Sequence, residues 1–349
     1  MSNAATCLAV PQGDSCGIGP EIALDALSRP EIRRACRPLL LGQAGVFTRA
    51  ASTLGLAGTV FEKVASAEEG FAQDSSGPLP LLELESPVPE TAPGIPSAAS
   101  GEAAVEGLLR AGALCLDGRA AAMVTPPVHK SSLREAGYHW EGQTQLLGKL
   151  GGTRRFGMLA CSGRLRVFPI TRHMGIREAL NKLDSAMVAR GLRIAHEAAR
   201  NLLGLENPRI ALAGMNPHAS DGGAFGDEEE RVLLPGIKAA FEEWGFKTEG
   251  PAVPDIVFHE GAAGKWDVVV ALYHDQAFIP LRMLDRSAGH TVLVGSPILR
   301  TSPMHGPACD LAGKGGADCE PFAQALLQAI AYVDRSCSKS SIAEKSSLL

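Results

Sequence analysis

Three histidines stand where short apolar runs give way to polar loops: His173 in PITRHMG, His218 in ALAGMNPHASDGG and His274 in VVVALYHDQ. Each upstream run is flanked by Gly, Pro or Asp and reads as a buried strand. In an open parallel α/β sheet, ligands bind where the carboxyl ends of strands open into loops. Three imidazoles delivered to such an edge can form an open divalent-metal site, with positions left for substrate. One such histidine alone reads more simply as a loop or capping residue; three in the same setting favour the metal. In MNPHASDGGAFGDEEER, Pro217 fixes one dihedral, and Gly222, Gly223 and Gly226 permit positive φ, so the loop is expected to hold His218 rigidly. Asp227 is expected to cap the acidic helix start that follows.

A second block, HGPACDLAGKGGAD from His305 to Asp318, combines small residues with His305, Asp310 and Lys314. Its glycines, Gly306 and Gly313 among them, suit backbone that closely approaches a flat or phosphorylated ligand. Arg282 and Arg300 lie near apparent strand ends and suit clamping of a phosphate or carboxylate. GDSCGIGPEI lacks the G-x-G-x-x-G spacing of a dinucleotide fingerprint. It reads instead as a Gly-rich turn with Asp14 near the sheet edge, in which Cys16 is read as a small packing residue rather than a reactive thiol.

These residues need strands and helices to position them. CLAVPQGDSCGIGPEIALDAL reads as strand, loop and helix, and PLLLGQ followed by GVFTRAASTLGL repeats the pattern. The Pro-rich stretch from Ser86 to Ser100 cannot be a continuous helix or a central strand. GEAAVEGLLRAGALCL has helical periodicity, AAAMV reads as a strand, and RFGMLACSGRLRVFPIT reads as a hairpin turning at Ser-Gly. Helices are expected over 185–203, 228–244 and 321–333, and strands over 210–214, 268–272 and 291–294. Such alternation predicts an α/β fold with a mostly parallel sheet and helices on both faces. The 349-residue length predicts two α/β lobes sharing a cleft: 5–135 with 300–333, and 136–299, followed by a flexible tail over 334–349.

The formal net charge is −5 without concentrated Lys or Arg, which argues against nucleic acid as a partner. No apolar run reaches membrane-spanning length, no signal peptide is visible, and Met1 to Ala4 reads as a cloning scar. The eight cysteines are scattered with no C-x-x-C pair, as expected of reduced thiols in a cytoplasm.

GDSCGIGPE, TPPVHK, GQTQLL, TRHMGIREAL, GMNPHASDGGAFGDEE, YHDQAFIPL and RTSPMHGPACDLAGKG occur in the order of one family. From about Leu8 to Val333 the chain resembles 4-hydroxythreonine-4-phosphate dehydrogenase of vitamin B6 biosynthesis and its relatives. The resemblance implies an isopropylmalate dehydrogenase-like fold with two lobes, and a homodimer with its active site near the interface. It implies a divalent metal on His173, His218 and His274, drawn from both subunits, and NAD or NADP as oxidant. Zinc suits three imidazoles, with cobalt or magnesium as alternatives. The His305 block is similar to the nucleotide-binding stretch of isopropylmalate dehydrogenases.

The departures fall on substrate contacts. The family's G-H-T-E segment is Gly142-Gln143-Thr144-Gln145 here, so Gln143 hydrogen-bonds without carrying charge. Arg282 replaces a family Lys and Thr291 a family Asn, while Arg300 is kept; His129 replaces an Asn ahead of the retained Lys130. The implied reaction is metal-dependent, NAD(P)-linked oxidation of an anionic hydroxy acid followed by decarboxylation. Its substrate is 4-hydroxythreonine 4-phosphate or, given those changes, another four-carbon phosphorylated acid or an aromatic carboxylate cis-dihydrodiol. A non-catalytic acid-binding protein is the reading from another class. Lys130, Asp255 and Asp275 are the candidate general bases, with Asp275 alternatively orienting His274 and Asp255 alternatively a helix cap.

Overall fold

The computed structural model describes residues 5–58, 60–86, 93–140, 142–285 and 289–346, with side chains as far as 336. Its contacts divide the chain into two compact units, residues 1–154 with 296–333 and residues 155–295 with 334–349. Strands are numbered in chain order.

The first unit carries β1 (Thr6–Pro11), β2 (Cys36–Gly42), β3 (Phe61–Val64), β4 (Leu79–Glu83), β5 (Ala122–Val124) and β12 (Arg300–Pro303). They lie in the order β3-β4-β2-β1-β5-β12, every pair parallel. Parallel strands covered by helices on both faces need continuous apolar runs. Leu8, Ala9 and Val10 of β1 and Leu39, Leu40 and Leu41 of β2 are accordingly sealed from solvent. The helices Gly19–Ser28 and Ala44–Thr53 pack Ile22, Leu24, Leu27 and Phe47 into that core. Gln143 and Thr144, expected in the second lobe, belong to this unit: their helix, Gln143–Leu150, sets Leu147 and Leu150 against Gly112 of the Ala98–Leu116 helix.

The second unit carries β6 (Gly157–Ser162), β7 (Leu165–Pro169), β8 (Ile210–Ala213), β9 (Thr248–Ala252), β10 (Val268–Ala271) and β11 (His290–Val294). Their order is β11-β6-β7-β10-β8-β9, in which β6 alone runs against its neighbours. The β6–β7 hairpin forms as expected, but Ser162 still pairs with Leu165, so the turn is Gly163-Arg164 with Gly163 at φ 55°. The Ser185–Leu203 helix has the expected bounds, capped by the Asp184 carboxylate on the Met187 N–H at 2.6 Å.

Three local expectations change. The last helix, Glu320–Ser346, continues through the Ser- and Lys-rich run beyond Val333, because that run contains no proline or glycine to stop it. Asp227 makes no capping bond: the helix opens as a π-turn over Glu229–Leu233, before Leu234–Trp244. Within the Pro-rich stretch, residues 87–92 lie outside the described residues, as do Met1 to Ala4, and Ser97 caps the helix from Ala98. No helix among the described residues is long and apolar enough to cross a membrane.

Candidate active site

In the second unit, parallel register brings two of the three histidines together. β7 and β10 pair Pro169 with Ala271, and the match continues past both strand ends. Ile170 and Thr171 donate their N–H groups to the Ala271 and Leu272 carbonyls, and the Thr171 hydroxyl adds a bond to Leu272 at 2.7 Å. Residues a few positions further along each chain must then meet. His173 and His274 do, with ring centroids 5.4 Å apart. The His274 Nδ1 lies 2.7 Å from the Asp275 carboxylate. With Nδ1–H donated there, Nε2 carries the free lone pair, the arrangement of an oriented metal ligand.

His274 is the first residue of the His274–Leu284 helix rather than a loop residue. Phe278 stacks on it at 4.5 Å, and the Arg282 guanidinium lies 5.8 Å from the Phe278 ring, so residues at i, i+4 and i+8 form one column.

His218 sits in an unusual loop. His218, Ala219, Ser220 and Asp221 all have φ between 45° and 68°, the left-handed region that non-glycine residues avoid. The expected glycines only follow this run. The fastening comes from Glu229, only 4% exposed, whose carboxylate accepts the Met215 and Asn216 N–H groups and the Asn216 side chain, each at 2.8 Å. Gln276 ties the strand ends together, accepting from Leu272 N–H at 2.7 Å and donating to the Gly214 carbonyl at 2.8 Å. Sequence reasoning passed over Glu229 and Gln276; their signal was polar residues following strand ends without a solvent-facing reason. The His218 ring lies against Phe225, centroids 6.1 Å apart. Among the described residues of this single chain, no three His, Cys, Asp or Glu side chains are placed to hold one ion.

Asp255 and Asp275 both border a hollow of about 550 Å3, with Tyr273, Phe258, Ile279 and Met283. Asp255 occupies the first turn of its helix, Pro254–Ala263, without making a capping bond. Thr291 is a buried strand residue opposite Ala160.

The first unit buries an arginine among polar partners. Arg300 is 4% exposed, its Nε donating to the Thr125 hydroxyl at 2.8 Å and its Nη2 to Gln143 Oε1 at 3.0 Å. Gln143 spends its own amide N–H on the Pro126 carbonyl at 2.8 Å. All these partners are neutral, and no described carboxylate pairs with the guanidinium. Burial pushes its pKa down to about 9. Asp14 is fully buried and accepts from the backbone N–H of Cys16 at 3.0 Å and of His129 at 3.1 Å. That bond holds the TPPVHK turn, where His129 Nδ1 caps the Lys130–Glu135 helix and Lys130 stays exposed.

The His305 block is fastened by Glu21, which accepts the Gly313 N–H at 2.7 Å and the Gly315 N–H at 3.3 Å. Gly313 is left-handed at φ 78°, whereas Gly306 faces open space. Lys314 spends its ammonium on the Asp310 carbonyl at 2.6 Å. His305 Nδ1 meets the Gly306 carbonyl at 2.8 Å, leaving Nε2 buried without a partner, and the Ser15 hydroxyl is in the same state. Buried polar atoms are rarely left so unless a ligand or water completes them.

Residues 34–329 match the family described as pyridoxal phosphate biosynthetic protein PdxA. The chain is 38% identical over 330 residues to the 4-hydroxythreonine-4-phosphate dehydrogenase of Geobacter metallireducens, covering 94% of this chain and 96% of that one. It is 36% identical over 330 residues to the D-threonate 4-phosphate dehydrogenase of Cupriavidus necator, covering 94% and 97%. The solved 4-hydroxythreonine-4-phosphate dehydrogenase of Klebsiella pneumoniae matches it with a TM-score of 0.84 at 34% identity, covering 95% of this chain and 99% of that one. The chain belongs to the PdxA family and is a dehydrogenase of that family.

Proposed function

We propose that the chain oxidises a four-carbon phosphorylated hydroxy acid with NAD or NADP, in a metal-dependent reaction followed by decarboxylation. The observation that carries this reading is the His173–His274 pair. Two imidazoles on one tetrahedral ion, each with its ring centre about 3.2 Å from the metal, have centroids about 5 Å apart. The observed 5.4 Å fits that spacing, and the Asp275 carboxylate, 2.7 Å from His274 Nδ1, suits the tautomer that leaves Nε2 for a metal. His218, set apart on its rigid loop, would complete the site of a second copy, as the family's shared ligand sets imply. A second copy also accounts for the apolar face next to Asp275, where Ile279 is 63% and Met283 81% exposed.

A divalent ion, zinc by its imidazole donors, would supply Lewis acidity at the substrate hydroxyl and stabilise the negative charge left by decarboxylation. Arg300, oriented by Thr125 and Gln143, and Arg282, on the His274 column, are each suited to an anionic group of a substrate. His305 Nε2 and the Ser15 hydroxyl provide unfilled polar positions for the dinucleotide. Asp275 orients His274, which leaves Lys130 and Asp255 to accept the hydroxyl proton. The substrate named for the Geobacter relative, 4-hydroxythreonine 4-phosphate, comes first. D-threonate 4-phosphate is the second reading, because the neutral Gln143 amide, with both polar ends engaged, stands where the family pattern has an ionisable imidazole.

The test is a panel of both phosphorylated acids and an aromatic cis-dihydrodiol, with NAD or NADP, before and after chelation and readdition of zinc, cobalt or magnesium. One phosphorylated acid is expected to drive dinucleotide reduction, lost on chelation and restored by metal. His218→Ala should lose that activity while keeping its circular dichroism spectrum. Full turnover by the chelated enzyme or by that variant would remove the metal assignment.

A further inference from the structure

Two cysteines meet in the first unit where the loop after β1 touches the His305 block. The Cys16 and Cys309 sulfurs are 3.7 Å apart, with Cys16 fully buried and Cys309 partly exposed. The backbone on either side is already stitched. Ile18 N–H donates to the Pro307 carbonyl at 2.9 Å, and Gly94 N–H to the Cys16 carbonyl at 2.8 Å. Gly17 is what lets the two loops approach, since a Cβ there would stand 2.6 Å from the Pro307 oxygen. A disulfide needs its sulfurs about 2.05 Å apart. Closing the remaining gap takes less than 2 Å of movement, within one van der Waals contact.

We propose that Cys16 and Cys309 form an oxidisable dithiol that accepts a low-molecular-weight disulfide such as oxidised glutathione. Cys309, the accessible partner, attacks as thiolate one sulfur of the oxidant. This forms a mixed disulfide and expels one thiolate, which takes up the proton Cys309 lost. Cys16 then attacks the Cys309 sulfur, forming the Cys16–Cys309 bond and releasing the second small thiol, which takes up the proton of Cys16. Two protein thiols are oxidised and one disulfide is reduced to two thiols, so electrons and protons balance. Burial and the Asp14 carboxylate hold both thiols above their ordinary range. Exchange at neutral pH is therefore slow, and a reducing cytosol leaves the pair open. Once formed, the bond clamps the segment that carries His305 and Asp310 onto the Gly-rich loop.

The experiment incubates the full-length protein with oxidised glutathione, alkylates it under denaturing conditions and maps peptides by mass spectrometry. Wild type, with eight cysteines, should fall to six alkylatable thiols, with Cys16 and Cys309 in one cross-linked peptide pair that dithiothreitol separates. Cys16→Ser should stop at a glutathione adduct on Cys309, and Cys309→Ser should retain a free Cys16. Eight free thiols in oxidised wild type, a stable Cys309 adduct that Cys16 does not resolve, or a cross-link between other cysteines each overturn the proposal.

Discussion

Replacing Gln143 with Glu tests whether Arg300 is an anion-binding group held in waiting. The guanidinium is buried among neutral partners, and burial pushes its pKa down to about 9. At 1.36 kcal/mol per pH unit, that depression corresponds to a burial penalty of at most about 5 kcal/mol. A carboxylate at 143 would accept the Arg300 bond as an ion pair, recovering about 2–3 kcal/mol. It would also lose the amide donor that satisfies the Pro126 carbonyl, at a cost of about 1 kcal/mol. The net gain of about 1–2 kcal/mol should raise the melting temperature of the ligand-free protein by roughly 2–8 °C. The phosphorylated substrate then meets a cation already paired and a new negative charge, so its affinity should fall at least about tenfold, or 1.4 kcal/mol. Differential scanning fluorimetry with and without inorganic phosphate reads both effects. If Gln143→Glu keeps the wild-type phosphate-induced shift, Arg300 does not bind the anion and the substrate assignment loses its main support.

The other fastenings make separate predictions. Glu229→Ala removes the acceptor of three bonds around Asn216 and should cost about 3 kcal/mol in chemical denaturation, with weaker zinc binding by isothermal titration; unchanged stability would show that the loop needs no clamp. Glu21→Ala frees the Gly313 and Gly315 N–H groups and should weaken dinucleotide binding about tenfold by fluorescence titration, about 1.4 kcal/mol, while leaving substrate affinity unchanged. His196, stacked on Phe246 at 4.1 Å, has its pKa lowered from 6.5 by burial and then by Arg200. The unfolded chain therefore binds the proton more readily, and this part of the stability is present above pH 6.5 and lost as pH falls through the lowered value. His196→Gln should flatten that acid-side slope in urea titrations at a series of pH values.

Much of this arrangement is readable from the residues because local rules and the fold agree. VVVAL before YHDQ and ALAG before MNPH are sealed strands in the structure, and loops or helix starts at their carboxyl ends deliver His274 and His218. What pattern reading could not supply is register. Nothing in the sequence says that Pro169 pairs with Ala271, yet that pairing is why His173 meets His274 rather than His218. Nor does spacing reveal that Gln143 turns its carbonyl toward an arginine 157 positions away. Asp227 suits a cap by type but makes no capping bond, and Glu229, two residues later, instead fastens the preceding loop by accepting the Met215 and Asn216 N–H groups. The long C-terminal helix escaped because serine and lysine composition speaks to exposure rather than to backbone conformation.

The four consecutive left-handed residues from His218 to Asp221 leave an imprint on which variants of this protein can persist. Each such residue carries a conformational cost of roughly 1–2 kcal/mol that glycine would not bear. Ala219→Gly should therefore toughen the protein against heat while slackening the imidazole next to it. Selection for thermal endurance alone would drift toward glycine here, and selection for turnover would hold the line against it. β-branched side chains, which tolerate this backbone worst, should be absent from both outcomes.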